Sequence, residues 1–397
     1  MADNRLKAAA FACCAALALA VPAAAQDKLY LEEYKAYNAA LEAGDSAGAA
    51  IHARAAWQAA EQELGDNALT AILAYNYGQL VLITDPKSAL AALNRAAELR
   101  ASVGADLPGK ELAVYKAYAE LALDPKRSRK RDDFRAALLL LEGDEYPASA
   151  EIAMMWLRLA AADVENRDYE NGMASAARAE TTFFAVEPTA HRRRAEALLL
   201  LGIATMFHNG SHPDDILAAN QHFIEAGMLF PAQKDIQSFD RTLALILAWN
   251  NTAWAWLQSE AAYQAEPETY TGSRIQIAIP EKYKADPTKF SPFDYEAVFP
   301  AAKSSEACNI EWEEREPPQY PVRAFMSGYV GTALVGYNLS AELEVVDPII
   351  LAEVPGEVFG EAAVKSMAKW KVATAPDKGP ACMKNRLTVF TFVMKPG

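Results

Sequence analysis

The sequence predicts a mainly α protein that ends in a small α+β domain. Three observations lead to this prediction. From Leu29 to about Gln264, apolar residues recur at helical spacing and short polar turns separate the segments. Eight prolines then fall between positions 267 and 321, a density through which no helix can run. Strand patterns and one amphipathic helix follow. We therefore expect an α-solenoid followed by a small β-sheet that one helix covers.

Length and charge limit the classes of function. The chain has 397 residues, enough for two domains that each bury a sizeable core. Its hydrophobic content of 52% and charged content of 23% are ordinary for a globular protein. The formal net charge is -14. Because proteins bind a phosphate backbone through basic surfaces, this balance argues against nucleic acid as a partner.

The N-terminus has the three parts of a secretory signal peptide. Arg5 and Lys7 precede an apolar run over residues 8–25, which ends in three alanines that offer a cleavage site after Pro22. We therefore expect residues 1–25 to be removed on export. The alternative is an uncleaved membrane anchor, since the run is about as long as a spanning helix.

Export would leave two cysteines in the mature chain, Cys308 and Cys382. An even number of cysteines in an oxidising compartment favours a disulfide between them. Such a bond would close a loop of about 75 residues and add on the order of 4 kcal/mol in the chain-entropy model. The alternative is two unpaired thiols.

The clearest helix pair lies between residues 153 and 188, with a turn at 166–172. Large and small apolar residues alternate on the facing sides of its two helices. This spacing resembles the tetratricopeptide repeat, in which small residues let paired helices pack closely. The face residues are Trp156, Leu159 and Ala160 on the first helix and Ala176 and Ala179 on the second.

The same pattern extends over residues 28–265, which we predict to be one helical repeat domain. We count four or five helix pairs and a closing helix over about 236–264, whose tryptophans we expect to pack in the core. The resemblance implies an α-solenoid, in which each pair buries its apolar face only by stacking on its neighbour. The residues that carry the further pairs are Ala89, Leu93, Ala96, Leu201, Gly202, Ala219, Phe223 and Ala226, and the tryptophans are Trp249, Trp254 and Trp256.

A connecting segment over residues 266–305 and a C-terminal domain over 306–397 complete the chain. The segment combines its prolines with many aromatic residues, too apolar for a free linker, so we expect extended chain laid against one of the domains. In the C-terminal domain, residues 330–340 alternate as a half-buried strand. A second strand is expected at about 344–354, confined to an edge or a bulge by Pro348.

One helix and one more strand end the domain. Four apolar residues recur along one stripe of a helix that would cover the sheet. The last strand places aromatic residues on one face and aliphatic residues on the other. The stripe consists of Phe359, Ala363, Met367 and Trp370; the faces of the last strand are Phe390, Phe392 and Met394, and Leu387, Val389 and Val393.

The order of these elements resembles the C-terminal domain of TonB-type energy transducers. The family motif begins with a Tyr-Pro pair, here Tyr320-Pro321, followed by a short amphipathic turn and two glycines before the first strand, here Gly328 and Gly331. A helix that ends in Lys-Trp comes later, here at Trp370, followed by a loop and an aromatic strand. The resemblance covers roughly 80 residues of the chain.

The resemblance implies a periplasmic protein that binds other envelope proteins. In TonB domains the last strand pairs with a short receptor peptide, so the peptide-binding strand here would be Arg386, Leu387, Thr388, Val389, Phe390, Thr391, Phe392 and Val393. The expected partner is an extended peptide, such as one from a TonB-dependent outer-membrane receptor. Affinity would come mainly from backbone groups. No cofactor or small-molecule substrate is implied.

Two rival functions remain open at this point. A membrane-anchored energy transducer would keep residues 8–25, although that run lacks the polar residues with which transducers engage their motor. An envelope assembly factor would instead use the same domain to bind peptidoglycan. The mass of the mature chain would separate the first rival from the exported scaffold, and a pull-down with purified sacculi would test the second.

Catalytic and metal-binding motifs are absent from the sequence, so we expect no enzyme and no metal site. His208 and His212 have a spacing found in metal-binding helices, but Gly210 and Pro213 place them in a loop. A basic run over residues 126–131 could contact anionic headgroups or an acidic partner. Its flanking aspartates favour a solvated loop.

Overall fold

The computed structural model describes residues 28–141, 148–210, 212–265, 298–299, 308, 310–374 and 382–393. The predicted signal peptide, most of the connecting segment 266–305 and Met394 lie outside these residues. The chain divides into two compact units, Met1–Ala162 and Asp163–Gly397. Among the residues described, no helix is long and apolar enough to cross a membrane.

The described part of the first unit is helical. The helices are α1 (Leu29–Glu42), α2 (Ser46–Leu64), α3 (Ala68–Leu80), α4 (Pro86–Val103), α5 (Gly109–Leu123), α6 (Ser128–Leu141) and α7 (Ala150–Glu165), the last of which crosses the unit boundary. Helices α2, α3 and α4 begin where the side chains of Asp45, Asn67 and Asp85 accept hydrogen bonds from backbone N–H groups of the first turn. From α1 to α6, each helix packs on the next.

The second unit continues with α8 (Tyr169–Val186), α9 (His191–His208), α10 (Pro213–Met228) and α11 (Arg241–Ala265). The predicted start of the closing helix near 236 is wrong, because Asp240 caps α11 by accepting hydrogen bonds from the N–H groups of Thr242 and Leu243. Ahead of it, Asp235 and Ser238 close a separate turn. Trp249 is buried in the core as expected, and Trp254 and Trp256 pack against it.

A small antiparallel sheet follows and confirms the predicted mainly α class with a C-terminal β region. The elements of this region are β1 (Trp312–Glu314), α12 (Val322–Met326), β2 (Gly331–Leu339), β3 (Val345–Val354), α13 (Gly360–Met367), β4 (Lys371–Val372) and β5 (Arg386–Phe392). The strand order of the sheet is β3-β2-β5, and a second pair joins β1 to β4.

The prediction that the first strand is half buried is wrong, because both faces of β2 are covered. On one face, Ala333, Val335 and Tyr337 pack with the four residues of the predicted stripe. The prediction that one helix carries the whole stripe and ends at Trp370 is wrong, because α13 begins after Phe359 and ends at Met367. On the other face, Leu334 joins the core of α11. The hydroxyls of Thr332 and Thr252 on α11 lie 3.0 Å apart and are fully buried. The polar Thr332 on the second face is therefore buried and not exposed to solvent, because Thr252 gives its hydroxyl a hydrogen-bond partner.

Cys308 and Cys382 form a disulfide with their Cα atoms 5.8 Å apart. Both cysteines are buried within the core that α13 covers. The bond ties the chain ahead of β1 to the turn ahead of β5, across a sequence separation of 74. The disulfide expected from the cysteine count is therefore present.

Candidate functional site

The strand β5 is an edge of the three-stranded sheet. It pairs antiparallel with β2 from Gly331 opposite Phe392 to Tyr337 opposite Arg386. Within the described ranges, its strand pairing is to β2 alone. An edge strand presents a row of backbone N–H and C=O groups on its outer side, where another extended chain can pair. The strand assigned by resemblance as the peptide-binding strand therefore lies at a sheet edge, except for Val393, which follows the end of β5.

Side chains hold β5 in place from both faces. Phe390 and Phe392 enter the core under α13, while Leu387 and Val389 pack against the core of α11. Thr391 is the one residue of β5 whose side chain is exposed. This arrangement confirms the predicted faces of the strand within the described residues. Among the residues that the structure describes, the edge, more than either face, is left as the surface for a ligand.

The opposite edge, β3, is irregular. Its register with β2 shifts twice, and Asp347 has a φ of 51°, in the left-handed region. Pro348 supplies no N–H to a neighbouring strand. Bulges and proline are the devices by which proteins make an edge a poor template for pairing. Of the two edges, β5 is therefore the regular one.

The Tyr-Pro motif lies beside the end of β5. The ring of Tyr320 contacts the rings of Phe392, Phe359 and Phe325, with centroids 5.7, 6.1 and 6.1 Å away. Its hydroxyl donates a hydrogen bond to the backbone carbonyl of Tyr329. Burial raises the pKa of the Tyr320 phenol, so this donor stays protonated at neutral pH.

The two motif positions require glycine for different physical reasons. Gly328 has a φ of 66°, which a glycine adopts without strain at the end of α12. At Gly331 a Cβ atom would lie 2.2 Å from the carbonyl oxygen of Val354 and 2.3 Å from the ring of Phe359. Only glycine lets β2 begin so close to β3 and to the aromatic core.

Trp370, the last residue of the family motif, contacts the chain segment that precedes α12. Its indole N–H donates to the carbonyl of Glu316 over 2.8 Å, and its ring lies 5.3 Å from the ring of Phe390 on β5. The Lys369 ammonium is 2.6 Å from the Glu316 carboxylate, which raises the pKa of the lysine. The Arg315 guanidinium covers the outer side of the Trp370 ring. The motif residues therefore support β5 from one face.

The sequence reasoning missed an exposed apolar surface on α12. Val322, Phe325 and Met326 all point to solvent, while Ala324 between them is fully buried. Their spacing of i, i+3 and i+4 places them on one face of this five-residue helix. The signal was present in the sequence, because Val322 to Ser327 has an amphipathic pattern. We described it only as a short amphipathic turn of the family motif.

A polar and aromatic cluster in the first unit was also missed. The phenol of Tyr75 on α3 donates to the Glu111 carboxylate on α5 over 3.0 Å and accepts from Gln79. Tyr115 on α5 lies 6.1 Å from Tyr75, ring to ring, and hydrogen bonds with Glu151 at the start of α7. Burial raises the pKa of both phenols. The cluster joins alternate helices, a relation that spacing along one helix does not reveal.

An open groove of about 540 Å³ lies between α8, α9 and α10 in the second unit. Arg194 and Glu180 form an ion pair at 2.9 Å on its wall, beside the apolar Leu198 and Met228. The His222 ring also lines it. Burial lowers the pKa of that ring, against the nearby Glu225 and Glu180 carboxylates.

No group of three or more metal-ligating side chains occurs in the part of the chain that the structure describes. His212 instead caps α10, where its ring accepts from the N–H of Asp214. In the basic run, Lys130 pairs with Glu120, and the buried Arg131 donates to backbone carbonyls. These residues therefore have structural roles.

No protein-family model matches this chain, and no curated protein matches it either. The resemblances to TonB domains and to tetratricopeptide repeats therefore rest on motif residues and spacing.

Proposed function

We propose that this protein is a periplasmic scaffold whose C-terminal domain captures an extended peptide by pairing it with β5. The peptide would come from another envelope protein, such as a TonB-dependent outer-membrane receptor. The observation that carries the proposal is the regular seven-residue edge strand at the position where TonB-like domains bind. Backbone pairing supplies the affinity, and side chains next to the edge supply the selectivity.

The packing around β5 supports this role. The strand is anchored by aromatic residues under α13 and by aliphatic residues against α11, so its backbone is held before a ligand arrives. A template that is already ordered loses little conformational entropy when it binds. The other edge carries Pro348 and two register shifts, so a partner strand would pair with β5.

The helices support the scaffold part of the proposal. In the pair α3 and α4, a Cβ on Gly78 would lie 2.7 Å from Leu93, and in the pair α9 and α10, a Cβ on Gly202 would lie 2.4 Å from Phe223. A glycine that accepts a large residue of the paired helix is typical of repeats resembling the tetratricopeptide repeat. The Tyr75 cluster, whose Tyr75 and Tyr115 rings are buried, would then join successive repeats from the inside.

Photocrosslinking tests the strand-pairing proposal. A benzoylphenylalanine at Thr391, the exposed position on β5, is introduced into the full chain in the cells that make it. We expect it to trap an envelope protein, and we expect mass spectrometry to place the crosslink within a short unfolded segment of that partner. The same probe at Asp347, exposed on the irregular edge β3, is the matched control.

Two results would argue against peptide capture at β5. The first is no trapped protein from Thr391 when the variant is folded and its disulfide is intact. The second is equal trapping from Thr391 and Asp347, since random collisions would not distinguish the two edges.

A further inference from the structure

The exposed apolar face of α12 is connected to the end of β5 through the ring of Tyr320. Val322 is 77% exposed, Phe325 59% and Met326 79%. Three large apolar side chains on one short helix are unusual for a surface that only meets water, because each would gain free energy on burial. The Tyr320 ring contacts both Phe325 and Phe392, the last residue of β5, with ring centroids 6.1 and 5.7 Å away.

Charge defines the surface further. The protein is strongly acidic overall, yet residues 317–341 contain no acidic side chain and only one basic one, Arg323. The stretch of sequence that contains the apolar face therefore has no carboxylate that would hold water next to it. The ring centroids of Phe392 and Tyr320 are 5.7 Å apart, and those of Tyr320 and Phe325 are 6.1 Å apart. A peptide strand paired with β5, at about 3.3 Å per residue, would therefore cover this distance in roughly three or four residues beyond Phe392.

From this juxtaposition we propose that Val322, Phe325 and Met326 form an apolar shelf that binds a bulky apolar side chain of the peptide paired with β5. This inference rests on the proposed function and adds its selectivity. Backbone pairing accepts nearly any extended sequence, whereas the shelf selects peptides with Leu, Ile, Met, Phe or Trp just past the paired stretch. The shelf residues are distinct from the motif residues Tyr320 and Trp370, whose rings pack against aromatic side chains of β5.

Peptide selection followed by paired variants tests the shelf. A phage library of random twelve-residue peptides is panned against the full chain, and the best peptide is synthesised as the probe. We expect selected peptides to share one bulky apolar residue near one end. We expect the double variant F325S/M326S to bind the probe at least tenfold more weakly, since one large apolar side chain loses its contact.

The matched control is F184S/M228S, which changes the same two residue types in the same unit. Phe184 is 59% exposed and Met228 64%, close to the values on α12. Because all four side chains are mostly exposed, both double variants are expected to fold, which circular dichroism checks. The control variant should bind the probe within twofold of the wild type.

A second probe separates failure of the shelf from failure of strand pairing. The selected peptide is resynthesised with alternate backbone nitrogens methylated, which removes N–H donors without changing side chains. If methylation abolishes binding and F325S/M326S does not weaken it, the shelf is refuted and strand pairing stands. If methylation has no effect, or no peptide is selected, both proposals are refuted. Equal losses for F325S/M326S and F184S/M228S also refute the shelf.

Discussion

The contact between α11 and β2 is tested most directly by a double-mutant cycle on Thr252 and Thr332. Their hydroxyls are 3.0 Å apart and fully buried, and Thr252 also hydrogen bonds to the Ala248 carbonyl in its own helix. T252V keeps the shape of the side chain but leaves the Thr332 hydroxyl without this partner. An unsatisfied buried hydroxyl costs about 1–3 kcal/mol.

The double variant should recover most of this cost. With valine at both positions, neither side chain needs a hydrogen bond, and replacing both partners by apolar groups of the same shape is nearly neutral. T332V alone should cost less than T252V alone, because Thr252 keeps its bond to the helix carbonyl. We expect a coupling free energy of about 1–2 kcal/mol between the two sites.

Urea unfolding followed by tryptophan fluorescence measures these values. Five of the seven tryptophans lie in the second unit, so the signal reports mainly on it. A loss of about 2 kcal/mol moves the midpoint by about 1 M at a slope of about 2 kcal/mol per M. T205V is the control, because among the described residues the Thr205 hydroxyl bonds within α9, to the carbonyl of Leu201. If the costs of T252V and T332V add within about 0.5 kcal/mol, the reasoning is refuted.

Three further predictions concern stability. Replacing Cys308 and Cys382 together by alanine should lower the free energy of unfolding by about 4 kcal/mol in urea, because a crosslink across 74 residues is lost; an unchanged midpoint would contradict this. G202A should lower the free energy of unfolding by about 1–3 kcal/mol, because the added methyl group overpacks the contact with Phe223, and the melting temperature should fall accordingly. F223L in the same chain should restore part of the lost stability. Hydrogen bonds from Arg95 lower the pKa of Glu61. The ion pair therefore stabilises the fold above the unfolded-state pKa of Glu61, and this stabilisation is lost as the pH falls through the folded-state pKa. E61Q should therefore reduce the fall in melting temperature between pH 6 and pH 3, and an unchanged pH dependence would show that the pair is not formed.

Local patterns predicted much of the second unit because they depend on neighbours along the chain. The shared face of Ala363 and Met367 on α13 and the two faces of β5 follow from periods of 3.6 and 2 residues, which are properties of the helix and the strand themselves. The edge position imposed by Pro348 follows from the missing N–H. The start of α11 was misplaced because apolar spacing does not reveal a cap such as Asp240.

The sequence by itself predicted a run of helices followed by the strands β2, β3 and β5, the two faces of β5, and a disulfide between Cys308 and Cys382 as the favoured of two alternatives. The short pair of β1 and β4 was not predicted. Only the tertiary structure decided that α11 covers the second face of the sheet, which makes β2 a fully buried strand. Alternation tells which residues share a face, but it does not tell what lies against that face. The exposure of Phe325 and Met326 was decided the same way, because an amphipathic turn is buried or open according to the elements that pack on it.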